Sequence, residues 1–177
     1  RLADFLRFLA PPPQTPRSGH RGEIFFSNSR CVVCHTSHFV SGAGSSPAIT
    51  TKRVKAYSNF KLHDMGGLGD GIRDGGINGA DGSEMASRAL WGLAYRSELL
   101  HDGRANHPDF DTRVDQAIQA HEAEGSFSRA RYNALASADR QLLLDFLATL
   151  GRAEFDADGD NDRDLDDWAL LASALTG

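Results

Sequence analysis

Residues 30–35 read Arg30-Cys31-Val32-Val33-Cys34-His35, and the residue after the second cysteine decides how the pair is read. Two cysteines separated by two residues make a redox disulfide, half of a zinc site or a haem attachment. With His35 in place the run is a complete C-x-x-C-H, whose two thiols add to haem vinyl groups while the histidine meets the iron from one face. The other readings fit less well. A zinc ribbon needs a second cysteine pair, and the 177 residues hold only these 2 cysteines. A thioredoxin-type motif expects a strand before it and a helix opening at the first cysteine. Here Ser18 to Ser29 reads instead as a helix, with Ser18 as N-cap and Ile24 and Phe25 as apolar positions, so the cysteines fall at a helix end. One covalent haem c is the expected cofactor. Such attachment takes place in an oxidising compartment outside the cytoplasm, so a periplasmic or extracellular location is expected.

Working outward, 177 residues suit one domain with appendages. Lys+Arg 19 against Asp+Glu 24 leaves a net charge of -5 with no basic stripe, which argues against a nucleic-acid partner. No run of about 18 apolar residues exists to span a bilayer. The chain opens at Arg1 without a charged-then-apolar leader, which reads as a processed chain or a piece of something longer. Hydrophobic residues make up 40%, a modest supply unless another apolar body, such as a macrocycle, fills the middle.

Three segments follow, 1–16, 17–150 and 151–177. In the first, Leu2, Phe5, Leu6 and Leu9 recur at helical spacing until Pro11-Pro12-Pro13 stops the helix, giving a short amphipathic helix with a stiff spacer. It is either the end of an upstream element or a strap packed on the main body. In the second, Phe60-Lys61-Leu62 alternates like a brief strand. Gly66 to Gly82 holds 8 glycines in 17 residues and reads as a long loop, wrapped on a ligand or mobile. Ala86 to Leu100 is the most apolar central part, and Trp91 reads as core. Asp111 or Thr112 caps a helix running to about Glu122, on which Val114, Ala117, Ile118 and His121 share one face. Helices over Ser126–Ala136 and Ser137–Leu150 complete the body, the second with Leu142, Leu143, Phe146, Leu147 and Leu150 as its stripe and Gly151 at its end. The fold class is therefore mostly α.

A six-coordinate haem needs a ligand opposite His35, drawn from 6 further histidines and 2 methionines. An imidazole on an inward helical face needs an acceptor for its lone pair, and iron is one, which puts His121 first. Met65, in Leu62-His63-Asp64-Met65-Gly66, is the rival, because thioether is a common haem ligand beside a loop able to fold over the iron; otherwise it is a gap-filler. His63 reads as a partner for a haem propionate or as a turn cap, with Asp64 orienting it. His20, His38, His101 and His107 read as solvated or locally bonded.

Taken together, several stretches resemble the C-terminal haem domain of the di-haem cytochrome c peroxidase superfamily, and most closely its di-haem oxidoreductase, thiol oxidoreductase-like branch. They are Asp4 to Pro12, Cys31 to His35, Leu62 to Gly66, Leu90-Trp91-Gly92-Leu93, Leu100-His101-Asp102-Gly103-Arg104-Ala105, Ala117 to His121 and Asp145-Phe146-Leu147, in the family's order over residues 2–150. The resemblance implies a cytochrome c-like haem domain with a long Gly-rich loop. It also implies haem contacts from Trp91, His101 and Arg104 as well as His63. The family's C-terminal distal ligand, usually methionine, follows the His-Asp-Gly turn, and His121 holds the equivalent position, which demotes Met65. Family members carry two haems, whereas a single C-x-x-C-H here implies a fragment lacking an N-terminal haem domain or a single-haem descendant. The half that is resembled is the electron-transfer half.

Asp156, Asp158, Asp160, Asp164 and Asp167 occupy positions 1, 3, 5, 9 and 12 of an EF-hand-like loop, with Asp162 among them. Asn161 stands where glycine is usual and Arg163 where an apolar residue is expected. The stretch resembles an EF-hand or dockerin-type tail that binds calcium, and otherwise reads as an acidic run capping a helix with Trp168, Leu170, Leu171 and Leu175. The expected function is electron transfer through a bis-histidine haem, with redox proteins, other haem domains or a second copy as partners. On its own the chain reads as a carrier rather than an enzyme; the alternatives are a peroxidase-type haem oxidoreductase and a non-catalytic assembly module.

Overall fold

The structure, a computed structural model, describes residues 2–9, 20–75, 79–151 and 165–176. Among these the regular structure is mainly helical, with α1 over Leu2–Phe8, α2 over Gly22–Asn28, α3 over Phe110–Gln119, α4 over Ser126–Asn133, α5 over Ser137–Ala148 and α6 over Leu165–Thr176. Two short antiparallel ladders complete it. Strand β1 (Phe39–Val40) pairs with β2 (Arg53–Val54), and β3 (Leu62–Asp64) pairs with β4 (Glu84–Ala86) with His63 opposite Met85.

The central packing is α2 across α5. A Cβ on Gly22 would meet the Leu142 carbonyl oxygen at 1.7 Å, so only glycine lets the two backbones approach this closely. Phe26 from α2, Phe146 from α5 and Tyr57 from the loop before β3 meet there as an aromatic triad, with ring centres 5.4 to 6.0 Å apart. Leu143, Leu147 and Leu150 extend this core as the apolar stripe of α5 predicts, Leu144 takes the place expected of Leu142, and Val114 and Ala117 join from α3.

Several boundaries differ from the sequence expectation. Helix α2 begins at Gly22, whose N–H donates to Nδ1 of the His20 ring at 3.1 Å, while Ser18, the expected cap, lies outside the described residues. The cap of α3 is Asp109, not Asp111 or Thr112: its Oδ2 accepts from both the Thr112 N–H at 2.8 Å and the Thr112 hydroxyl at 2.7 Å. That helix ends at Gln119, so His121 stands in the turn beyond it. Phe60 has a left-handed φ of 56°, which delays the strand to Leu62. Trp91 is not core; it is half-buried and lines a cavity.

The glycine-rich stretch has regular backbone pairing where it is described. It prolongs the β3–β4 hairpin, with Met65 N–H donating to Ser83 O, Gly71 N–H to Gly82 O and Asp74 N–H to Ala80 O at 2.9 to 3.0 Å. A Cβ on Gly69 would meet Gly82 O at 2.2 Å, which explains the small residues on facing strands. Helix α1 leaves Leu2, Phe5 and Leu6 more than half exposed, so it is not packed down as a strap, and the helix expected after the acidic run forms as α6. Asp156, Asp158, Asp160, Asp162 and Asp164 lie outside the described residues, as does the side chain of Asp167.

Candidate functional site

Cys31 opens a single 3-10 turn, Cys31–Val33, immediately after α2, and Arg30 enters it with a left-handed φ of 66°. The chain then leaves along a backbone ladder. Asn59 N–H donates to Cys34 O at 2.8 Å, Ser58 N–H to Thr36 O at 3.0 Å and Tyr57 N–H to Ser37 O at 3.4 Å. Tyr57, itself at φ 49°, turns its carbonyl toward His35 and accepts the Nδ1 proton at 3.0 Å. A ring that donates through Nδ1 carries its lone pair on Nε2, the form in which imidazole ligates metals.

The turn after α3 repeats this arrangement. His121 donates its Nδ1 proton to Ala117 O at 2.8 Å, four residues back. The ring centres of His35 and His121 stand 6.5 Å apart with planes inclined at 52°. Two imidazoles on opposite sides of one metal ion, each bound at about 2 Å with its ring centre roughly 1 Å behind the nitrogen, stand about 6 Å apart. The ring-centre separation of His35 and His121 is close to that spacing. Burial pushes His35 down to about 4, and burial also pushes His121 down, so both rings stay neutral where an ordinary histidine would charge.

The thiols differ from those of a redox dithiol. Burial raises Cys31 to about 12, and burial, followed by the nearby Glu124 charge, raises Cys34. A thioredoxin-type cysteine is instead acidified.

The remaining candidates divide. His63 is brought to the site: its Nδ1 lies 3.5 Å from Cys34 Sγ and 2.8 Å from Glu124 Oε2, and its Nε2 lies 3.1 Å from Asn59 Nδ2. Glu124 and Asn59 orient it, not Asp64, whose carboxylate instead accepts the Gly66 N–H at 2.9 Å. Met65 is buried on the His121 side. A Cβ on Gly125 would meet its Cε at 3.3 Å and His121 Cβ at 2.9 Å, so Gly125 keeps both side chains in place. His101 and Arg104 are exposed in the turn after Leu100, where Arg104 pairs with Asp102 at 2.5 Å.

Sequence reasoning missed the carboxylates flanking His121. Glu122 Oε2 accepts the Gly67 N–H at 2.9 Å, and Glu124 Oε1 accepts the Asp64 N–H at 3.4 Å, so the His121 turn grips residues 63–67 from both sides. The visible signal was Gly66-Gly67: Gly66 sits at φ 58°, and a Cβ on Gly67 would meet Glu122 Oε2 at 3.0 Å. Among the described residues no group of three or more His, Cys, Asp or Glu is arranged to hold a metal ion. A haem site needs only the two imidazoles.

The family profile described as "Di-haem oxidoreductase, putative peroxidase" matches residues 13–150, most of the chain and the whole of this site. The chain belongs to that family, and haem is the cofactor the family implies. Among curated proteins and among solved structures nothing matches the chain.

Proposed function

We propose that residues 17–150 are a cytochrome c-like domain carrying one haem, attached through Cys31 and Cys34 and held between His35 and His121, and that it transfers electrons. The observation that carries this reading is the pair of imidazoles with ring centres 6.5 Å apart, each fixed through Nδ1 by a backbone carbonyl. When bound, the haem supplies an iron that alternates between ferrous and ferric states. The chain's own residues fix both rings through Nδ1, and the Tyr57 whose carbonyl holds His35 is itself packed against Phe26 and Phe146. A site saturated by two imidazoles exchanges electrons with little rearrangement.

The family's description supports a second reading, peroxide reduction by this chain or together with a further haem domain. The two readings separate on coordination. Mass spectrometry of the native protein should show one haem on the polypeptide, with a low-spin absorption spectrum lacking the sulfur-to-iron band of methionine ligation. Peroxide should leave it largely inert. Unmodified cysteines sink the haem reading, a clear sulfur band replaces His121 by Met65, and rapid peroxide turnover with a reductant favours the enzyme. Export to an oxidising compartment and redox proteins or haem domains as partners follow from the same reading.

A further inference from the structure

The segment that follows β4 walls a cavity of about 400 Å³, lined among others by Phe60, Ser87, Arg88, Trp91 and Arg96. Its wall is fastened to the stretch that orients His35. Leu90 N–H donates to Ala56 O at 3.0 Å, Ser58 hydroxyl to Ser87 O at 2.8 Å and Ser87 hydroxyl to Asn59 Oδ1 at 2.9 Å, either side of the Tyr57 carbonyl that receives His35.

Two guanidinium groups share this cavity. Arg96 is fixed by Nη2, which donates to Ala89 O at 3.0 Å and to Trp91 O at 2.9 Å, leaving other N–H groups of its planar fork. Burial and then the charge of Arg88 push Arg96 down. Neither arginine forms an ion pair with a carboxylate among the described residues. Two guanidinium groups lining one cavity attract an anion, and the guanidinium fork matches a carboxylate. The Trp91 and Phe60 rings offer surface to an apolar body attached to that anion.

We propose that Arg88 and Arg96, walled by Trp91 and Phe60, form a pocket for a carboxylate carried on an apolar body. Two sources share this chemistry: a propionate of the haem beside His35, which rests on the haem reading above, or a free aromatic acid. Calorimetry of the native chain with benzoate, and resonance Raman spectra of the propionate bending modes, distinguish them. The variants are Arg88→Gln and Arg88→Lys; Arg88 is exposed, so neither threatens the core. A free-acid site gives saturable benzoate binding to the native chain, weakened at least tenfold by Arg88→Gln and largely kept by Arg88→Lys. A propionate site gives no benzoate binding and bending modes that shift in Arg88→Gln but stay near native in Arg88→Lys. Benzoate binding indifferent to Arg88→Gln, or no binding with unchanged modes, overturns the pocket. A chain found without haem refutes the haem reading by mass; the benzoate titration then decides the pocket alone, and no binding overturns it.

Discussion

The two histidines are held by different kinds of structure. His35 hangs on a backbone ladder, Cys34, Thr36 and Ser37 carbonyls receiving amides of residues 57–59, with Tyr57 simultaneously part of the aromatic core. His121 stands in a turn beyond the end of α3, and what ties that turn to residues 63–67 is the carboxylates of Glu122 and Glu124. Main-chain ladders buried beside a core open only with the core, whereas side-chain clamps at the surface open locally. One side of the candidate haem is thus built to be permanent and the other to be adjustable.

Breaking the permanent side should have the largest effect. Cys31→Ser with Cys34→Ser is expected to abolish covalent haem, read as loss of the haem mass and of pigment after acid extraction. Retained covalent haem would refute the attachment. Next comes His121→Ala, which should leave haem attached and convert the low-spin spectrum to one with an open coordination position; an unaltered spectrum removes His121 from the iron. Phe146→Ala tests the core on which His35 rests. The side chain is fully buried against Phe26 and Tyr57, and large-to-small changes of this kind cost about 4 kcal/mol. The denaturant midpoint should fall steeply, and a shift corresponding to less than about 1 kcal/mol would mean that the site collapses around the change.

The contrast also explains what was legible in the sequence. Cys31 to His35 declares its chemistry by spacing alone, and the i, i+3, i+4 recurrence of Val114, Ala117 and Ile118 places the turn that follows them near the core. His121 was found by that periodicity although the helix stops at Gln119, because one further turn of backbone keeps the ring on the same side. Trp91 was misread because hydrophobicity does not reveal whether a large ring fills a core or walls a cavity. Glu122 and Glu124 were missed because a carboxylate clamp looks like any solvated charge until its amide partners, 55 and 60 positions away, are folded against it. Backbone acceptors such as Tyr57 O leave no trace in residue type at all.

Glu122→Gln with Glu124→Gln gives the smallest effect and sharpens the comparison most. The His63 hydrogen bond, then the Asp64 amide, holds the Glu124 carboxyl below the ordinary carboxylate range. A carboxyl depressed on folding adds stability that is present above its ordinary value and is lost as pH falls through its folded value, because the unfolded chain binds the proton first. Lowering the pH into that acidic window should therefore loosen the His121 turn in the native chain before the core yields, and the double variant should show no such early step. The rings set a separate limit. Burial lowers His35 to about 4 and lowers His121 as well, so the low-spin spectrum should persist as pH falls past the ordinary histidine value of about 6.5. The decisive measurement is paired acid titrations of native and variant chains, followed by haem absorption for the turn and by far-ultraviolet circular dichroism for the helices. Coincident transitions in the native chain would show that the turn is fixed by the core after all, and that the two sides do not differ.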